Sequence, residues 1–524
     1  MELIPRAYQL AIYESIIRNG NTLVVLPTGL GKCLEYSQPI LLKNGTLVRI
    51  GDLFENNLDS MVKSAPNLIS VKPQQKLEVI SLNESLGFEK TRVIGIHKIR
   101  TDKKLLKITT AAGAEIIVTP EHPLLTLNER LDWKKANQFS VGDCLATPSR
   151  LPEPNSSNRI SIVEIFSKIN SNMVCFVGST TEINRSECKL QNAVDRFGNA
   201  QGTDDWIEYV YVAGGRANKT PIKAVKTTSP DLLYWAGLVI AEGSSYGSTQ
   251  FYNEDAGMLR DFSNISQKIF GLKASKIKGG LKLQSTALHF FARNLFNIRN
   301  QHSREKTISD LVMASSNEYA AQFISALYDG EGSVREDGLI EFMTASKELA
   351  HQLCYLLLRF GIRTRFKKKL ASATNSSSPK IREYYRIYIE GIPDLLRFRN
   401  KIGFRHKEKQ QKLEAYLNKN FKPNPNNNLI PISGAFVRGI RKSLNLSSTA
   451  WKDFEIPGID TYEREERRFS HNMLKRVIAG FKIKKESWDG QIKSKVKFLE
   501  TLLNSHIYWD RVKSIEKVQE KGVY

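Results

Sequence analysis

Cysteine is scarce in this sequence, and the few cysteines do not have the spacings of a metal site or a disulfide framework. The chain of 524 residues contains five of them, an odd number, and no Cys-x-x-Cys pair. A zinc site and a disulfide-stabilised fold are therefore not expected. The composition favours a reducing, cytoplasmic location instead.

Long apolar runs are missing as well. The longest, Leu232–Ala241, is about half of what a helix needs to cross a bilayer. The N-terminal segment MELIPRAYQLAIYESIIRNG lacks the apolar core of a signal peptide. We therefore expect no membrane partner.

Acidic residues are too few to balance the basic ones. The chain has 54 Asp and Glu against 77 Lys and Arg, which gives a formal net charge of +23. This excess favours a polyanionic partner, above all nucleic acid, over a plain lysine-rich solvated surface. The length exceeds what one hydrophobic core usually serves, so several domains are expected.

Residues 1–32 have the pattern of a nucleotide-binding segment. Residues 5–20 carry apolar side chains at helical spacing, Thr22–Leu26 is typical of a buried strand, and a Gly-rich turn follows with Gly29, Gly31 and Lys32. Backbone N–H groups in such a turn point at phosphate. "LVVLPTGLGK" resembles the opening of an archaeal superfamily 2 DNA helicase of the Fanconi-anaemia M type, with Gln9 in the place of the adenine-reading glutamine.

The phosphate-loop pattern stops after Lys32. Such a loop needs Ser or Thr next, because that hydroxyl binds Mg²⁺, yet the next residue is Cys33, whose sulfur is a poor ligand for a hard cation. A working loop then opens into a helix, whereas Asn44-Gly45 between two apolar runs predicts a β-hairpin. The resemblance therefore implies only a helicase fragment with a truncated loop.

Residues 33–148 favour a compact all-β module. Their short strand-like runs include Leu47–Ile50, Arg92–Lys98, Leu105–Thr109 and Glu115–Val118. "TPEH" contains Thr119 and His122, and "VGDCLATP" spans residues 141–148. This segment, with Cys33 at its start, resembles the N-terminal half of an intein, a Hint-fold protein-splicing element.

The chemistry of splicing explains these residue types. A thiol at Cys33 can attack the carbonyl of Lys32 and convert the amide to a thioester. His122 can protonate the leaving nitrogen, and the hydroxyl of Thr119 can hold the scissile peptide. Either motif alone can be explained without a function. A single cysteine is usually a small buried apolar residue, and Thr-x-x-His occurs by chance. Together, behind a broken phosphate loop, they favour splicing.

Two similar segments follow further along the chain. "SPDLLYWAGLVIAEGSS" begins at Ser229 and "SSNEYAAQFISALYDGEGSV" at Ser315. Each reads as a capped helix with small residues on one face, which lets two helix backbones approach closely, and each ends in Glu-Gly. The two glutamates, Glu242 and Glu331, therefore occupy equivalent places. One Glu-Gly pair means little, but two in a repeated context favour a shared site.

The repeat extends beyond these helices, and the predicted order in each copy is αββαββα. Both copies contain basic strand-like segments that can follow a DNA backbone and present side chains to base edges. The candidate DNA-binding residues are Lys276, Lys278, Arg363, Arg365, Lys367 and Arg386. Arg363, Arg365 and Lys367 alternate, which predicts that they share one strand face.

Residues 226–410 resemble a two-repeat LAGLIDADG homing endonuclease of the DOD type. The resemblance implies that Glu242 and Glu331 bind Mg²⁺ and hydrolyse the phosphodiesters of a double-stranded DNA target. It also implies a catalytic role for Lys306 in "REKTISDL", although a solvated surface lysine is the commoner case for such a residue. The first motif departs from the family at Trp235 and Ile240, and the second at Tyr328 and Gly330.

The remaining segments are less distinctive. Residues 149–225 read as a linker with accessory strands, and residues 411–500 as a basic helical accessory domain that either binds DNA or supports packing. Residues 501–524 resemble the strand that opens the C-terminal splicing half. In the family that half ends in His-Asn before a Ser, Thr or Cys, and this pattern does not follow residues 501–524 in the sequence, so we expect splicing to need a C-terminal partner or downstream sequence.

The fold class predicted from sequence is thus multidomain: an all-β Hint splicing domain with an inserted α+β endonuclease of pseudo-twofold repeats, plus a helicase fragment. The predicted function is an intein-encoded, site-specific double-strand DNA endonuclease. The alternatives are an ATP-dependent helicase fragment and a DNA-binding module without catalysis. A helicase needs a helix after Lys32 and downstream acidic and arginine motifs, and the sequence offers neither.

Overall fold

The computed structural model describes residues 33–524 except for residues 66–67, 74–75, 101–103, 128–129, 156–157, 170–172, 181–182, 190–191, 193–199, 214–216, 300–301, 373–380, 420–428, 448–450, 452–455, 457 and 520–522. The predicted phosphate-loop remnant at Gly29, Gly31 and Lys32 lies outside the described residues. Two compact units are present, residues 33–152 together with 422–524, and residues 153–421.

The first unit contains many short strands. They are β1 (Pro39–Leu41), β2 (Leu47–Arg49), β3 (Met61–Ala65), β4 (Leu68–Val71), β5 (Glu78–Leu82), β6 (Phe88–Arg92), β7 (Ile96–Ile99), β8 (Leu105–Thr110), β9 (Glu115–Val118), β10 (Pro123–Leu127), β11 (Leu131–Lys135), β12 (Cys144–Pro148) and β25 (Ile507–Val518). The single strand expected over Arg92–Lys98 is instead the end of β6 and most of β7, with a break between them.

The hairpin predicted at Asn44-Gly45 is confirmed. Strands β1 and β2 pair antiparallel with Ile40 opposite Val48. Asn44 Oδ1 accepts hydrogen bonds from the backbone N–H and the hydroxyl of Thr46, at 3.2 and 2.7 Å. Gly45 has φ of 86°, a left-handed conformation that costs glycine little. Because a hairpin follows Cys33, this segment does not continue a phosphate-binding loop.

Strand β25 completes the sheet that contains the first candidate site. The strand order is β12-β25-β8-β9, so β25 lies between two strands from much earlier in the chain. Ile515 pairs with Ile108, and Trp509 pairs with Ala146. Apolar side chains form the core under this sheet, among them Leu106, Ile108, Val118, Leu124, Phe139, Leu145 and Val512.

Helices also belong to the first unit, which is therefore not built of strands alone. They are α1 (Ile50–Glu55), α12 (Gly434–Ser443), α13 (Ile459–Glu463), α14 (His471–Lys482) and α15 (Gly490–Asn504). The apolar faces of α12, α14 and α15 share one core with Leu127 of β10 and Trp509 of β25. The limits predicted for a separate helical domain, 411–500, do not coincide with a unit boundary, because this burial joins the helices to the strands.

The second unit begins with a small sheet where a linker with accessory strands was expected. Its elements are α2 (Ile162–Ser167), β13 (Val174–Thr180), β14 (Ile183–Lys189), α3 (Ala200–Trp206), β15 (Ile207–Val212) and β16 (Ile222–Lys223). The strand order is β14-β13-β15-β16. Val174, Phe176, Ile207 and Val210 are buried, so residues 149–225 include a folded layer with its own apolar side chains.

Two runs of the same element order follow. The first is α4 (Pro230–Glu242), β17 (Gly243–Ser245), β18 (Thr249–Tyr252), α5 (Ala256–Phe270), β19 (Ser275–Ile277), β20 (Gly280–Leu283) and α6 (Thr286–Phe296). After α7 (Asp310–Ala314), the second is α8 (Asn317–Glu331), β21 (Gly332–Val334), β22 (Ile340–Thr344), α9 (Lys347–Arg359), β23 (Arg365–Ser372), β24 (Ile381–Ile389) and α10 (Ile392–Lys401). Helix α11 (Lys407–Leu417) comes next.

The two sheets of these runs have equivalent strand orders, β17-β18-β20-β19 and β21-β22-β24-β23. Ser229 caps α4 by accepting from the backbone N–H of Leu232 at 3.2 Å, and Pro230 occupies the first helical position. The cap of α8 is Ser316, whose hydroxyl accepts from the N–H of Tyr319. No described helix is long and apolar enough to span a membrane.

Helices α4 and α8 pack closely because small residues face each other. A Cβ placed on Gly237 of α4 would lie 2.7 Å from Ala326 Cβ and 2.7 Å from the Phe323 carbonyl oxygen of α8. A Cβ placed on Gly330 of α8 would lie 2.7 Å from Ala241 Cβ. Larger side chains at these glycines would separate the helices, so the close approach of the helix ends depends on these small residues.

Candidate active sites

The first candidate site is built around the backbone of Cys33. Leu34 forms an antiparallel bridge with Val118, which places Cys33 beside the residue that follows β9. That residue is Thr119, whose hydroxyl oxygen accepts a hydrogen bond from the Cys33 N–H at 2.9 Å. The Thr119 N–H in turn donates to the Cys33 carbonyl oxygen at 3.0 Å.

This contact bears directly on the Lys32–Cys33 peptide bond. The nitrogen of Cys33 is the leaving atom when that bond breaks, and it is the atom that Thr119 holds. His122 closes a turn on the same residue, because its N–H donates to the Thr119 carbonyl oxygen at 3.0 Å. Its own carbonyl oxygen accepts from the Ala136 N–H at 2.8 Å. Thr119 and His122 thus belong to one fixed turn next to Cys33.

The thiol of Cys33 is buried among apolar side chains. Cys33 is 3% exposed and clusters with Leu105 and Val523. Burial, together with the negative charge of Glu121, raises the pKa of the Cys33 thiol to about 11. At neutral pH only about one molecule in ten thousand then carries the thiolate. An acyl shift at this thiol therefore needs a base or a local change of environment.

The last residues of the sequence also line this site, which sequence reasoning missed. The Leu34 N–H donates to the Tyr524 carbonyl oxygen at 2.7 Å, and the Tyr524 N–H donates to the Leu34 carbonyl oxygen at 2.8 Å. Val523 bridges to Glu35 and to Ile99. No local pattern in "KGVY" predicts this contact, because it depends on pairing between opposite ends of the chain.

The second candidate site lies where α4 and α8 end. Glu242 is the last residue of α4, and Glu331 is the last residue of α8. A Cβ on Gly330 would be 3.6 Å from Glu242 Cδ, so the Glu242 carboxyl group lies beside the backbone that leads into Glu331. Asn253 donates a side-chain hydrogen bond to Glu242. The structure therefore brings the two predicted carboxylates together.

Lys306 reaches this site from the segment between the two runs. Its Nζ donates to the carbonyl oxygen of Ala241 at 2.9 Å, at the C-terminal end of α4. Burial lowers the pKa of the Lys306 ammonium, while the charges of Glu331 and Glu242 act in the opposite direction. Lys306 is therefore not a solvated surface lysine, which is the commoner case for such a residue.

A second lysine, Lys409, was not predicted. It lies in α11, and its Nζ donates to the carbonyl oxygens of Tyr328 at 3.1 Å and Gly330 at 3.2 Å, and also to that of Asp329. These carbonyls belong to the last turn of α8, where no further turn satisfies them. Helices α4 and α8 therefore each have a lysine at their terminal carbonyls. Lys409 is one of many lysines in a basic segment, and nothing local distinguishes it.

The electrostatics fit a site for a hard divalent cation. The Glu331 side chain retains exposed surface, yet desolvation raises the pKa of its carboxyl group, with a further contribution from Glu242. Lys306 and Lys409 act in the opposite direction. Among the described residues no cluster of three His, Cys, Asp or Glu could hold a metal ion. Two carboxylates suit Mg²⁺, which commonly takes its remaining ligands from water and substrate phosphate.

The basic strands have one face free of the helices. In the β23–β24 pair, Phe366 is opposite the buried Ile387, so the neighbouring pairs Arg365–Tyr388 and Lys367–Arg386 occupy the other face. Arg386 forms an ion pair with Glu341 at 3.0 Å, and Lys367 lies 5.7 Å from the centre of the Tyr388 ring. The predicted residues Arg365, Lys367 and Arg386 therefore share a basic, aromatic surface. Lys369 and Arg382, which were not predicted, extend it by register.

The other predicted DNA-binding residues are Arg363, Lys276 and Lys278. Arg363 precedes β23, so the expectation that it shares the face of that strand is wrong; it forms an ion pair with the buried Asp394 at 3.2 Å. Lys276 is opposite Leu281 on the edge strand β19, and it is exposed. Lys282, opposite Ser275, lies on the other face of this strand pair. Lys278 is exposed between β19 and β20.

Comparison with known proteins gives a family match over most of the chain. The model of a family described as "Intein splicing domain" matches residues 39–524. The replication factor C small subunit of Methanocaldococcus jannaschii is 25% identical over 463 residues, which cover 86% of this chain but only 20% of that protein. The chain therefore spans a fifth of the length of this curated relative.

Solved structures match parts of the chain. The crystal structure of the TvoVMA intein is 22% identical with a TM-score of 0.22, and the match covers 22% of this chain and 71% of that one. A structure of mesophilic variants of the homing endonuclease I-DmoI is 15% identical with a TM-score of 0.25, and the match covers 36% of this chain and 98% of that one.

Proposed function

The chain belongs to the intein splicing domain family, and from this premise we propose that it combines an acyl-shift centre at Cys33 with a site-specific, Mg²⁺-dependent endonuclease for double-stranded DNA in residues 226–410. The observation that carries the nuclease is the meeting of Glu242 and Glu331 at two closely packed helix ends, each with a lysine. The host of the element is a superfamily 2 helicase, a proposal that rests on the resemblance of residues 1–32.

The reaction proposed at the acyl-shift centre exchanges one bond for another. The thiol of Cys33 gives its proton to water, the sulfur forms a bond to the carbonyl carbon of Lys32, and the C–N bond of that peptide then breaks. The nitrogen gains a proton, for which His122 is the donor, and becomes the free amine of Cys33. The 2.9 Å bond from the Cys33 N–H to Thr119 supports a role for Thr119 in holding this nitrogen.

A thioester makes the first proposal testable. Hydroxylamine cleaves a thioester and leaves an ordinary peptide bond intact, so it should cut the chain after Lys32 in the unmodified protein. Cys33→Ala cannot form the thioester and is the matched control. Equal cleavage of the two proteins, measured by intact mass, would contradict the nucleophile assignment.

At the nuclease site Glu242 and Glu331 would hold the divalent cation. When bound, Mg²⁺ makes water more acidic and stabilises charge on phosphate oxygens. Asn253 orients the Glu242 carboxylate, and Lys306 and Lys409 offset the negative charge that two glutamates place at two helix C-termini. The surface of Arg365, Lys367 and Arg386 would hold the DNA backbone and base edges.

The nuclease proposal has a direct test. A duplex substrate is first selected from a randomised library by cutting in Mg²⁺, and EDTA serves as the metal-free control. Glu242→Gln and Glu331→Gln keep the shape of the side chains but remove the charge, so they should abolish cutting and retain DNA binding in a mobility-shift assay. Cutting retained in both variants would refute the metal site. Binding without any cutting by the unmodified protein would favour the inactive-module alternative.

A further inference from the structure

The segment that bears Lys306 is fixed by side chains of the second repeat. The hydroxyl of Ser346 donates to the Lys306 carbonyl oxygen at 2.6 Å. Ser346 is fully buried, and it also caps α9 by accepting from the Leu349 N–H at 3.1 Å. One hydroxyl therefore joins the start of α9 to the backbone of Lys306.

Gln352, further along α9, holds the same segment a second time. Its Oε1 accepts from the Ile308 N–H at 2.7 Å, and its Nε2 donates to the Ile308 carbonyl oxygen at 3.1 Å. Gln352 is 7% exposed, so water does not compete freely for these bonds. The side-chain amide thus bonds both the N–H and the carbonyl oxygen of Ile308, as the backbone of a neighbouring β-strand would, and it fixes that residue.

These contacts limit the reach of the lysine. Because the backbone is held at positions 306 and 308, only the side-chain torsions of Lys306 remain to place its Nζ. That atom ends at the Ala241 carbonyl oxygen, one residue before Glu242. Residues of the second repeat thereby determine where a charge lies at the helix end of the first repeat.

The other half of the unit has a related arrangement. Asp255 caps α5 by accepting from the Met258 N–H at 2.8 Å. Its Oδ2 also lies 3.7 Å from Nε2 of His406, three residues before Lys409. In both halves, the cap of the helix that follows the first strand pair contacts the segment bearing a site lysine. This repetition indicates an arrangement tied to the site rather than an isolated packing contact.

We propose that Ser346 and Gln352 are positioning residues that set Lys306 Nζ beside Glu242 and Glu331 for phosphodiester hydrolysis. The inference rests on the proposed nuclease function. Neither side chain contacts the reacting atoms, and both act through the backbone of residues 306–308.

The test uses Gln352→Leu in the full chain, which removes both amide bonds at similar size. Single-turnover cutting of the selected duplex is measured in Mg²⁺ and expressed per folded molecule. We expect this rate to fall by about 10- to 100-fold, the order of loss that follows a misplacement of about 1 Å.

The matched control is Arg359→Met. Arg359 lies seven residues after Gln352 on the same helix and is also buried, and it donates to the carbonyl oxygens of Met313 and Ser315 at 3.0 and 2.6 Å, away from Lys306. This variant should lose thermal stability but keep the cutting rate per folded molecule. Gln352→Glu, which retains an acceptor for the Ile308 N–H, should recover part of the rate.

A double-mutant cycle separates positioning from stability. If Gln352 acts through Lys306, the double variant Lys306→Met with Gln352→Leu cuts no more slowly than Lys306→Met alone. Additive losses, an equal loss of rate in Arg359→Met, or an unaltered rate in Gln352→Leu would each overturn the positioning role while leaving the nuclease in place. Absence of Mg²⁺-dependent cutting by the unmodified protein would overturn both proposals.

Discussion

Gly330 is the position where the packing of the two helices can be tested most sharply. In Gly330→Ala the new Cβ would lie 2.7 Å from Ala241 Cβ and 3.6 Å from Glu242 Cδ. Carbon atoms in contact prefer about 3.5–4.0 Å, so the ends of α4 and α8 must separate by about 0.8 to 1.3 Å. The substitution therefore moves the two glutamates apart without removing either one.

The expected effects on stability and on rate differ in size. Overpacking costs about 1–3 kcal/mol, and the better helix propensity of alanine offsets about 1 kcal/mol, so the free energy of unfolding should fall by about 0–2 kcal/mol. Cutting should fall by about 100-fold, because a displacement near 1 Å disturbs the spacing of the groups that hold the cation and phosphate. Denaturant unfolding and single-turnover cutting of the selected duplex measure the two quantities.

Gly439→Ala is the control for the helical glycine itself. Gly439 lies inside α12, and a Cβ there meets no atom within 4 Å. This variant should gain about 0.5–1 kcal/mol from helix propensity and keep the cutting rate. If Gly330→Ala behaved in the same way, with raised stability and unaltered cutting, the argument from helix separation would be refuted.

Three further predictions follow from individual groups. Tyr328→Phe should raise the free energy of unfolding by about 1–3 kcal/mol in denaturant titration, because the buried Tyr328 hydroxyl has no hydrogen-bond partner among the described residues; a loss of stability would contradict this. Cleavage by hydroxylamine after Lys32 should rise about tenfold per pH unit towards pH 11, and Glu121→Gln should raise it at neutral pH by lowering the pKa of Cys33; a flat profile would exclude thiolate formation as the limiting step. Glu331→Gln should raise the thermal midpoint at neutral pH, because folding raises the pKa of Glu331 and so disfavours its charged form. The difference from the unmodified protein should close as the pH falls below about 4.5, where the carboxyl group is protonated in both the folded and the unfolded state. A difference in thermal midpoint that widens at low pH would contradict this prediction.

Local chemistry made several features of this protein predictable. Asn44-Gly45 specifies a tight turn wherever it lies between apolar runs, and the structure confirms that hairpin. Ser229 with Pro230 begins a helix, and Gly243 ends it, because caps and fixed backbone angles act within a few residues. The two Glu-Gly helix ends were therefore visible in sequence as a repeat.

Side-chain direction on short strands was less predictable. Arg363 was assigned to one strand face with Arg365 and Lys367 from alternation, but alternation does not say where a strand begins. The start of β23 at Arg365 and the ion pair of Arg363 with Asp394 decide this point. A shift of one residue reverses the face, so strand limits have to be known first.

The sequence alone determined the family, the nucleophile candidate Cys33 and the two glutamates, because each depends on residue types within a short window. Only the tertiary structure decided that Glu242 and Glu331 meet, that Lys409 caps the second helix, that Gln352 holds the Lys306 segment, and that Tyr524 pairs beside Cys33. The physical reason is that these contacts join residues far apart in the chain. They depend on close helix packing and strand register, which no local pattern of charge or hydrophobicity records.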